Sequence, residues 1–364
     1  MSFKSIANQF VCDVPVYEPG RPIEEVAREL GLNPKTIIKL ASNENPLGPS
    51  PKAVAAMRKA LATAHLYPDG GGFYLRQALA EKFSCRIDNI ILGTGSNEII
   101  EFLYHAFVGP GDEVVAGDRA FVIYSIMAKM FQARCVEVPF RGHTHDLKAM
   151  LAAITPKTKL VFIANPNNPT GTRVSNAELD EFIRRLPPHV IAVLDEAYIE
   201  FLDDPPPSIE YAMKRNVVVL RTFSKIVGLA GLRIGYGVAQ PECIVLLQRV
   251  RQPFNTNAVG QAGALAGLGD TAHIRKTKAL TRRGLAYLYR EFKRLKLEYV
   301  PSYANFVLVN VRDGDEVFRG LQRRGVIVRP MRGYKMPGWV RVTVGLPPEN
   351  RRFIAALEKE LAKP

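Results

Sequence analysis

One segment of the chain, 222-TFSKIVGLAGLR-233, carries the densest set of side chains that can do chemistry. Its two hydroxyls, one amine and one guanidinium belong to Thr222, Ser224, Lys225 and Arg233, and they surround a glycine-containing loop after an apolar run. Hydroxyl and guanidinium groups together suit a bound phosphate, and Lys225 would lie beside it. A lysine after a strand is otherwise a solvated surface residue, so this segment alone leaves both interpretations open.

A second segment, 93-GTGSNEII-100, closes one apolar run and opens a helical pattern. Small residues there expose backbone N–H groups, and the start of a helix adds partial positive charge, so the loop is a candidate anion site. It is not a dinucleotide-binding fingerprint, because Glu98 stands where the third glycine should be. By itself the loop is equally compatible with a plain tight turn.

Two more segments place polar residues at the ends of apolar runs. Two prolines and a glycine in 165-NPNNPTG-171 make a rigid turn that could aim Asn168 inward, although the same residues also form ordinary turns. Asp195, in 194-LDEAYIEF-201, is expected to be buried, where a carboxylate needs a cationic or strongly hydrogen-bonding partner; a helix cap is the alternative. No histidine or second carboxylate nearby has the spacing of metal ligands, so no metal site is expected.

These segments sit in a regular alternation of short apolar runs and longer helical stretches. Such alternation predicts an α/β fold whose mostly parallel sheet is covered by helices on both faces. Ligands of these folds bind at the carboxyl ends of the strands, and Gly95, Asn165, Asp195 and Lys225 all lie at such ends. The runs are 89–95, 113–118, 134–140, 158–166, 189–198 and 217–225.

The composition of the chain argues against several classes of protein. The four cysteines are far apart and form no CxxC pair, which argues against a zinc site or a disulfide scaffold. No apolar run resembles a signal peptide or a membrane span, so we expect a cytoplasmic protein with no membrane partner. The net charge of +14 is dispersed over amphipathic segments such as 275–296, which favours a small anionic substrate over nucleic acid, although a nucleic-acid binder stays an alternative.

Taken in order, the glycine-rich loop, NPNNPTG, DEAY and TFSK with an arginine eight residues on resemble the fold-type I aminotransferases, which use pyridoxal 5′-phosphate. The resemblance covers nearly the whole chain. Three further segments are similar to the histidinol-phosphate aminotransferase branch, namely 16-VYEPGRPIEEVARELGL-32, 40-LASNENPLGPSP-51 and 66-LYPDGGGFYLR-76.

The resemblance implies three parts along the chain. Residues 1–44 would form an N-terminal arm and part of a small domain, residues 45–265 the large domain that binds pyridoxal phosphate, and residues 266–364 the rest of the small domain. The sequence pattern also changes after about residue 270, where a long charged helical pattern precedes short strands and helices. This change favours a smaller α+β domain in that part of the chain.

The resemblance also implies roles around the cofactor. Lys225 matches the lysine that holds the cofactor as a Schiff base and later moves the substrate's proton, and Asp195 matches the acid that pairs with the pyridine nitrogen. Tyr198 and Asn168 match the donors to the 3′-oxygen. Tyr124 matches the aromatic that stacks on the ring, although Arg119 and Ala120 replace the proline and threonine that often precede it, and a core tyrosine is the alternative. The phosphate would be held by Gly95, Ser96, Thr222, Ser224 and Arg233.

Further implied residues bind the substrate and the second subunit. Arg341 matches the arginine that binds the substrate's anionic end, and Arg329 and Tyr17 resemble additional phosphate contacts of the branch. Asn43 is expected on the same side, whereas a surface position remains the alternative for Arg329. Tyr67 resembles the tyrosine that reaches the cofactor phosphate from the partner subunit of a homodimer.

The implied reaction is amino transfer from histidinol phosphate to 2-oxoglutarate, giving imidazole acetol phosphate and glutamate in histidine biosynthesis. Three alternatives stay open at this point: an aromatic amino acid aminotransferase, a phosphothreonine decarboxylase of the same fold, and a non-catalytic binding protein on this scaffold. The retained Lys225, Asp195, Asn168, Tyr198 and Arg233 argue against the last of these.

Overall fold

A computed structural model describes residues 2–16 and 20–362 of the chain. Its strands form sheets of two, four and seven strands within these residues. In chain order they are β1 (Ile38–Lys39), β2 (Ile90–Gly93), β3 (Glu113–Gly117), β4 (Arg134–Val138), β5 (Thr158–Ala164), β6 (Ile191–Asp195), β7 (Val217–Thr222), β8 (Gly235–Val238), β9 (Tyr299–Val300), β10 (Phe306–Asn310), β11 (Val326–Ile327), β12 (Arg329–Pro330) and β13 (Trp339–Thr343).

Helices separate most of these strands. They are α1 (Gln9–Cys12), α2 (Ile23–Leu30), α3 (Pro51–Leu61), α4 (Phe73–Phe83), α5 (Ser96–Phe107), α6 (Ile123–Met130), α7 (Leu147–Ala152), α8 (Asn176–Arg185), α9 (Ser208–Lys214), α10 (Pro241–Val250), α11 (Ala258–Leu268), α12 (Thr271–Arg294), α13 (Gly314–Arg323) and α14 (Pro347–Leu361). Within residues 2–16 and 20–362, none of the helices is long and apolar enough to cross a membrane.

The seven-stranded sheet has the order β2-β8-β7-β6-β5-β3-β4. Its neighbours pair in parallel, except that β8 runs antiparallel to β2 and β7. Along β7, Val217 and Val219 pack into the core on one face, whereas Val218 and Leu220 pack into the core on the other. A sheet buried on both faces explains why the predicted strands are continuous apolar runs. The predicted α/β fold with a mostly parallel sheet is confirmed.

The sequence pattern predicts six of these strands but misses β8. This strand reads Gly-Tyr-Gly-Val, so it has little apolar signal of its own. The small residues have a packing reason, because a Cβ atom on Gly235 would lie 2.5 Å from the backbone nitrogen of Ser96. The glycine therefore allows the start of α5 to approach the sheet closely.

A smaller unit packs around the four-stranded sheet, whose order is β12-β13-β10-β9 and whose pairings are antiparallel. Its core is separate from those of the large sheet and includes Leu288, Phe292, Val307 and Phe353. The predicted helix over 275–296 is confirmed as α12, which begins earlier because Asp270 caps it: the Asp270 carboxylate accepts the His273 N–H.

The predicted domain boundaries stay predictions. The proposed break between residues 265 and 266 falls inside α11, which continues to Leu268. This helix packs against α3, and a Cβ atom on Gly263 would lie 2.9 Å from Met57. The start of α12 also contacts the large unit, since Asp270 accepts a hydrogen bond from Ser50 and Ile274 packs against the core of the large sheet.

Candidate active site

One cavity of about 300 Å³ lies at the carboxyl ends of the parallel strands. The large sheet supplies residues at the ends of β6 and β7, and the small sheet supplies side chains from β12 and β13. The predicted site residues that line it are Asn43, Gly95, Ser96, Asn168, Asp195, Tyr198, Thr222, Ser224, Lys225, Arg233, Arg329 and Arg341. The fold thus brings together segments that are widely separated in the sequence.

The amine of Lys225 lies in this cavity, three residues beyond the end of β7. Its Nζ donates a hydrogen bond to the backbone oxygen of Ser42 at 3.3 Å and lies 5.7 Å from the centre of the Tyr198 ring. Burial lowers the pKa of Lys225 to about 8, and the nearby charge of Arg341 acts in the same direction. Near neutral pH a larger fraction of this amine is therefore the neutral nucleophile than in a solvated lysine.

Asp195 lines the same cavity at the end of β6 and is 6% exposed. Its Oδ2 accepts a hydrogen bond from the hydroxyl of Tyr124 at 2.7 Å, and its Oδ1 accepts one from the backbone N–H of Ala197 at 3.3 Å. Burial raises the pKa of this carboxyl, and the hydrogen bond from Tyr124 is the largest opposing influence. A buried acid and a partly buried amine thus face one cavity.

A cradle suited to a phosphate forms where α5 begins, at Ser96. Gly95 has φ 74° and ψ 170°, a conformation that essentially only glycine adopts. The hydroxyl of Thr222 donates to the Ser224 oxygen at 2.9 Å, and that oxygen accepts a bond from Arg233 at 3.5 Å. The helix start, the hydroxyls and the guanidinium all favour a bound dianion.

Two arginines of the small sheet face the cavity from adjacent strands. Arg329 on β12 stands directly opposite Arg341 on β13 in the antiparallel register, so their side chains share one face. Arg341 is buried and donates hydrogen bonds to the side-chain oxygen of Asn168 and, at 2.6 Å, to the backbone oxygen of Ala41. Two neighbouring positive charges repel each other, and an anion between them would relieve that repulsion.

Asn43 connects the two halves of the cavity. Its side-chain nitrogen donates to the Tyr198 hydroxyl oxygen at 2.9 Å, and its side-chain oxygen accepts from the hydroxyl of Thr343 at 3.1 Å. Burial raises the pKa of Tyr198, whereas Arg341 and Asn43 oppose that shift. The side chain of Asn43 therefore fixes the Tyr198 hydroxyl relative to the small sheet.

The prediction that Tyr124 stacks on the cofactor ring is wrong. Tyr124 does not line the cavity, and its ring stacks on Phe162 with a centroid distance of 4.4 Å. Phe121 lines the cavity instead and meets Tyr124 edge-on at 5.8 Å. The reason is positional: Phe121 precedes α6, whereas Tyr124 lies in its first turn on the side that faces the sheet core.

Two other predicted residues are not in this cavity. Tyr67 is 82% exposed and stacks on Phe254 with a centroid distance of 4.7 Å, away from the cavity of its own chain. Tyr17 lies outside the residues that the structure describes. The roles of both remain predictions.

Sequence reasoning missed several residues of the cavity wall, namely Gly20, Glu44, Asn97, Phe121 and Tyr334. Asn97 follows Ser96 in the glycine-rich motif, and its buried side-chain oxygen has no hydrogen-bond partner among the described residues. Its place in the first turn of α5 was the available signal, because that turn was already a candidate anion site. Among residues 2–16 and 20–362, no group of three or more histidines, cysteines or acids is placed to hold a metal.

Known proteins resemble this chain along nearly its full length. A histidinol-phosphate aminotransferase of Akkermansia muciniphila is 50% identical, and the match covers 99% of this chain and 100% of that protein. Histidinol-phosphate aminotransferase 1 of Cupriavidus pinatubonensis is 52% identical over 97% of this chain and 96% of its own length. The crystal structure of histidinol-phosphate aminotransferase from Sinorhizobium meliloti in complex with pyridoxal 5′-phosphate has a TM-score of 0.89 at 28% identity, covering 98% of each chain.

The family model "Aminotransferase class I and II" matches residues 35–357, a range that includes every cavity residue described above except Gly20. With relatives this similar over this length, the assignment does not depend on any single motif. The chain belongs to the aminotransferase class I and II family.

Proposed function

We propose that this protein transfers an amino group from histidinol phosphate to 2-oxoglutarate with pyridoxal 5′-phosphate as cofactor, giving imidazole acetol phosphate and glutamate in histidine biosynthesis. One observation carries the proposal: a single cavity combines a buried acid, a partly buried amine and two separate sets of anion-binding groups. One set surrounds Gly95 and Arg233, and the other is the Arg329–Arg341 pair. Relatives about 50% identical over the whole chain carry this activity in their names.

The residues present fit the cofactor. The cradle of Gly95, Ser96, Thr222, Ser224 and Arg233 would take its phosphate, and Gly95 has the backbone conformation that such a close approach needs. Asp195 would pair with the ring nitrogen, Asn168 and Tyr198 would contact the 3′-oxygen, and Phe121 is the aromatic side chain that can cover the ring. When bound, the cofactor withdraws electrons from the bonds at the substrate's Cα.

The chain's own residues then have distinct tasks. Lys225 would hold the cofactor through its Nζ, and as a free amine the same Nζ would accept the proton from the substrate's Cα. A pKa of about 8 keeps this group close to the operating pH, which is what a general base and acid requires. The carboxylate of Asp195 holds a proton on the ring nitrogen, because a charged partner stabilises the protonated form.

The small-sheet arginines would select the substrate. Arg329 and Arg341 would bind the phosphate ester of histidinol phosphate, and a dianion with three terminal oxygens can use both guanidinium groups. Tyr17 would contact the same phosphate, and Asn43 would keep the Tyr198 hydroxyl aligned. A carboxylate of 2-oxoglutarate can occupy the same place, because guanidinium groups bind carboxylates in the same bidentate manner.

A homodimer is part of the proposal. Tyr67 stacks on the exposed Phe254, and Leu66, Phe73 and Tyr74 are further exposed apolar side chains in the same stretch of chain. Exposed apolar surface can mark an interaction site. In a two-fold dimer this surface would meet its own copy. As the family resemblance implies, each Tyr67 would then contact the cofactor phosphate of the partner subunit. The four free cysteines suit a reducing compartment, and we propose the cytoplasm.

The test is steady-state kinetics with histidinol phosphate or phenylalanine as donor and 2-oxoglutarate as acceptor. Replacing Arg329 with alanine removes one of the two guanidinium groups that would bind the phosphate, whereas the smaller charge of a carboxylate can be met by Arg341. The kcat/KM for histidinol phosphate should therefore fall about 10- to 100-fold while that for phenylalanine changes little. Arg332→Ala is the matched control, since Arg332 is exposed, bonds to Asp315 and does not line the cavity.

Three results would contradict the proposal. Equal losses for both donors would remove the reason for assigning a phosphorylated substrate. A higher kcat/KM for phenylalanine than for histidinol phosphate in the unaltered protein would favour an aromatic aminotransferase. Release of CO₂ from O-phosphothreonine without consumption of 2-oxoglutarate would favour a decarboxylase.

A further inference from the structure

Tyr124 lies beneath the cavity with its hydroxyl on the carboxylate of Asp195. The hydroxyl oxygen donates to Oδ2 at 2.7 Å, and the two side chains belong to residues that are 1% and 6% exposed. A hydrogen bond to a buried charged group contributes more than one at the surface, because water does not replace it when it is lost. Among the described residues, Tyr124 therefore makes the strongest hydrogen bond to the Asp195 carboxylate.

The ring of Tyr124 is itself tightly held. It stacks on Phe162 at 4.4 Å, and Phe162 stacks in turn on Tyr104 at 5.8 Å. The hydroxyl of Tyr104 donates to the backbone oxygen of Tyr124 at 2.6 Å, and Phe121 packs edge-on against the Tyr124 ring from the cavity side. Neighbours on several sides thus fix the direction in which the Tyr124 hydroxyl points.

The hydroxyl of Tyr124 is a donor at every working pH. Burial raises its pKa well above the usual value, and the adjacent charge of Asp195 raises it further. The remaining hydrogen bond of the carboxylate comes from the backbone N–H of Ala197, at the longer distance of 3.3 Å. The charge of Lys225 also favours the charged acid, whereas the charge of Glu196 disfavours it. Losing the Tyr124 hydroxyl would remove the largest influence that opposes burial, so the pKa of Asp195 would rise further.

We infer that Tyr124 is a positioning residue for the transamination, which holds the Asp195 carboxylate in its orientation and in its charged form from the side opposite the cofactor. The inference rests on the proposed function, in which Asp195 pairs with the cofactor's ring nitrogen. It differs from a direct cofactor contact, because Tyr124 acts only through Asp195. Its effect should therefore appear in cofactor affinity and in pH dependence, and much less in the binding of the substrate.

The experiment compares Tyr124→Phe with Tyr104→Phe. Both substitutions remove one buried hydroxyl and keep the ring in the same aromatic stack, but only the first removes a bond to Asp195. Pyridoxal phosphate is titrated into each apoprotein by absorbance and circular dichroism, and kcat is measured against pH. For Tyr124→Phe we expect the cofactor Kd to rise about tenfold and the acid limb of the kcat profile to move to higher pH, with KM for histidinol phosphate nearly unchanged.

An Asp195→Asn background supplies the second measurement. If Tyr124 acts through Asp195, adding Tyr124→Phe to Asp195→Asn should change the cofactor Kd less than twofold, since the charge that the hydroxyl stabilises is already gone. A further tenfold rise in Kd would overturn the inference. So would equal losses in Tyr124→Phe and Tyr104→Phe together with lower melting temperatures of both apoproteins, because that pattern would show a packing role only.

The outcome for the unaltered protein separates this inference from the proposed function. If the unaltered protein does not bind pyridoxal phosphate, the proposed function itself is refuted. If it binds the cofactor and turns over, while Tyr124→Phe keeps the same Kd and the same acid limb, only the positioning role is refuted. In both cases circular dichroism in the far ultraviolet confirms that the proteins compared are folded.

Discussion

Gly95 gives the sharpest test of the phosphate cradle. A Cβ atom at this position would lie 2.6 Å from Nη2 of Arg233 and 3.3 Å from its Cζ. The backbone has φ 74° and ψ 170°, so an alanine there is also strained, at a cost on the order of 1–3 kcal/mol. Gly95→Ala therefore has to displace the guanidinium from the cradle or move the start of α5.

The expected loss follows from these contacts. A guanidinium group displaced from the cradle would lose its hydrogen bond to the cofactor phosphate, and one charge-assisted hydrogen bond contributes about 1.5–3 kcal/mol, or roughly a 10- to 150-fold change in Kd. We therefore expect Gly95→Ala to weaken pyridoxal phosphate binding by about that factor. The Kd is measured by titrating the cofactor into the apoprotein and following its absorbance.

Gly231→Ala is the matched control. Gly231 precedes Arg233 in the same loop, but a Cβ atom there would meet no atom within 4 Å. This variant should bind the cofactor like the unaltered protein. If Gly95→Ala keeps its affinity within twofold, the cradle does not hold the phosphate in the way described. If the two variants lose affinity equally, the loss does not arise from the clash with Arg233.

Two further predictions concern stability and assembly. Burial lowers the pKa of His145 to about 4, below its unfolded value of about 6.5, so the unfolded chain binds the proton first and stability on the order of 3 kcal/mol is lost as pH falls from 6.5 to 4. His145→Gln should flatten the fall of the melting temperature between pH 7 and pH 5, whereas the exposed control His189→Gln should not; equal slopes in all three proteins would contradict this. If Tyr67 acts across a dimer, unfolding and refolding a mixture of inactive Tyr67→Ala and Lys225→Ala subunits should restore activity, because a mixed dimer holds one complete site. No recovery in confirmed mixed dimers would contradict the exchange.

The parallel strands and the residues at their ends could be predicted from sequence because each signal is local. A buried strand is an apolar run, and its last residues point to the ligand edge of the sheet, as Asp195 and Lys225 do. Strand β8 was not predicted, because it contains glycines where an apolar run would be expected. These glycines make room for the start of α5, which approaches the strand closely. That requirement depends on a partner far away in the sequence.

The misassignment of Tyr124 has a similar origin. Sequence places Phe121 and Tyr124 three residues apart, but which ring faces the ligand depends on where α6 begins and how it packs on the sheet. Likewise, the pairing of Arg329 with Arg341 is set by the register of β12 and β13, and no local pattern reveals that register. Resemblance to known enzymes indicated the residue types, but the contacts among them needed the fold.

The hydrogen bond between Arg341 and Asn168 joins two tasks that are usually described separately. Arg341 would bind the anionic end of the substrate, and Asn168 would contact the 3′-oxygen of the cofactor. The guanidinium group of Arg341 nevertheless donates a hydrogen bond to the side-chain amide of Asn168. A phosphate bound at Arg341 would compete for the hydrogen bonds of the guanidinium group, and the Asn168 amide would lose part of its contact. A substitution at Arg341 should accordingly alter the colour of the resting enzyme as well as its affinity for substrate. Under the proposed function, the binding of the substrate and the electronic state of the cofactor would therefore both depend on this one hydrogen bond.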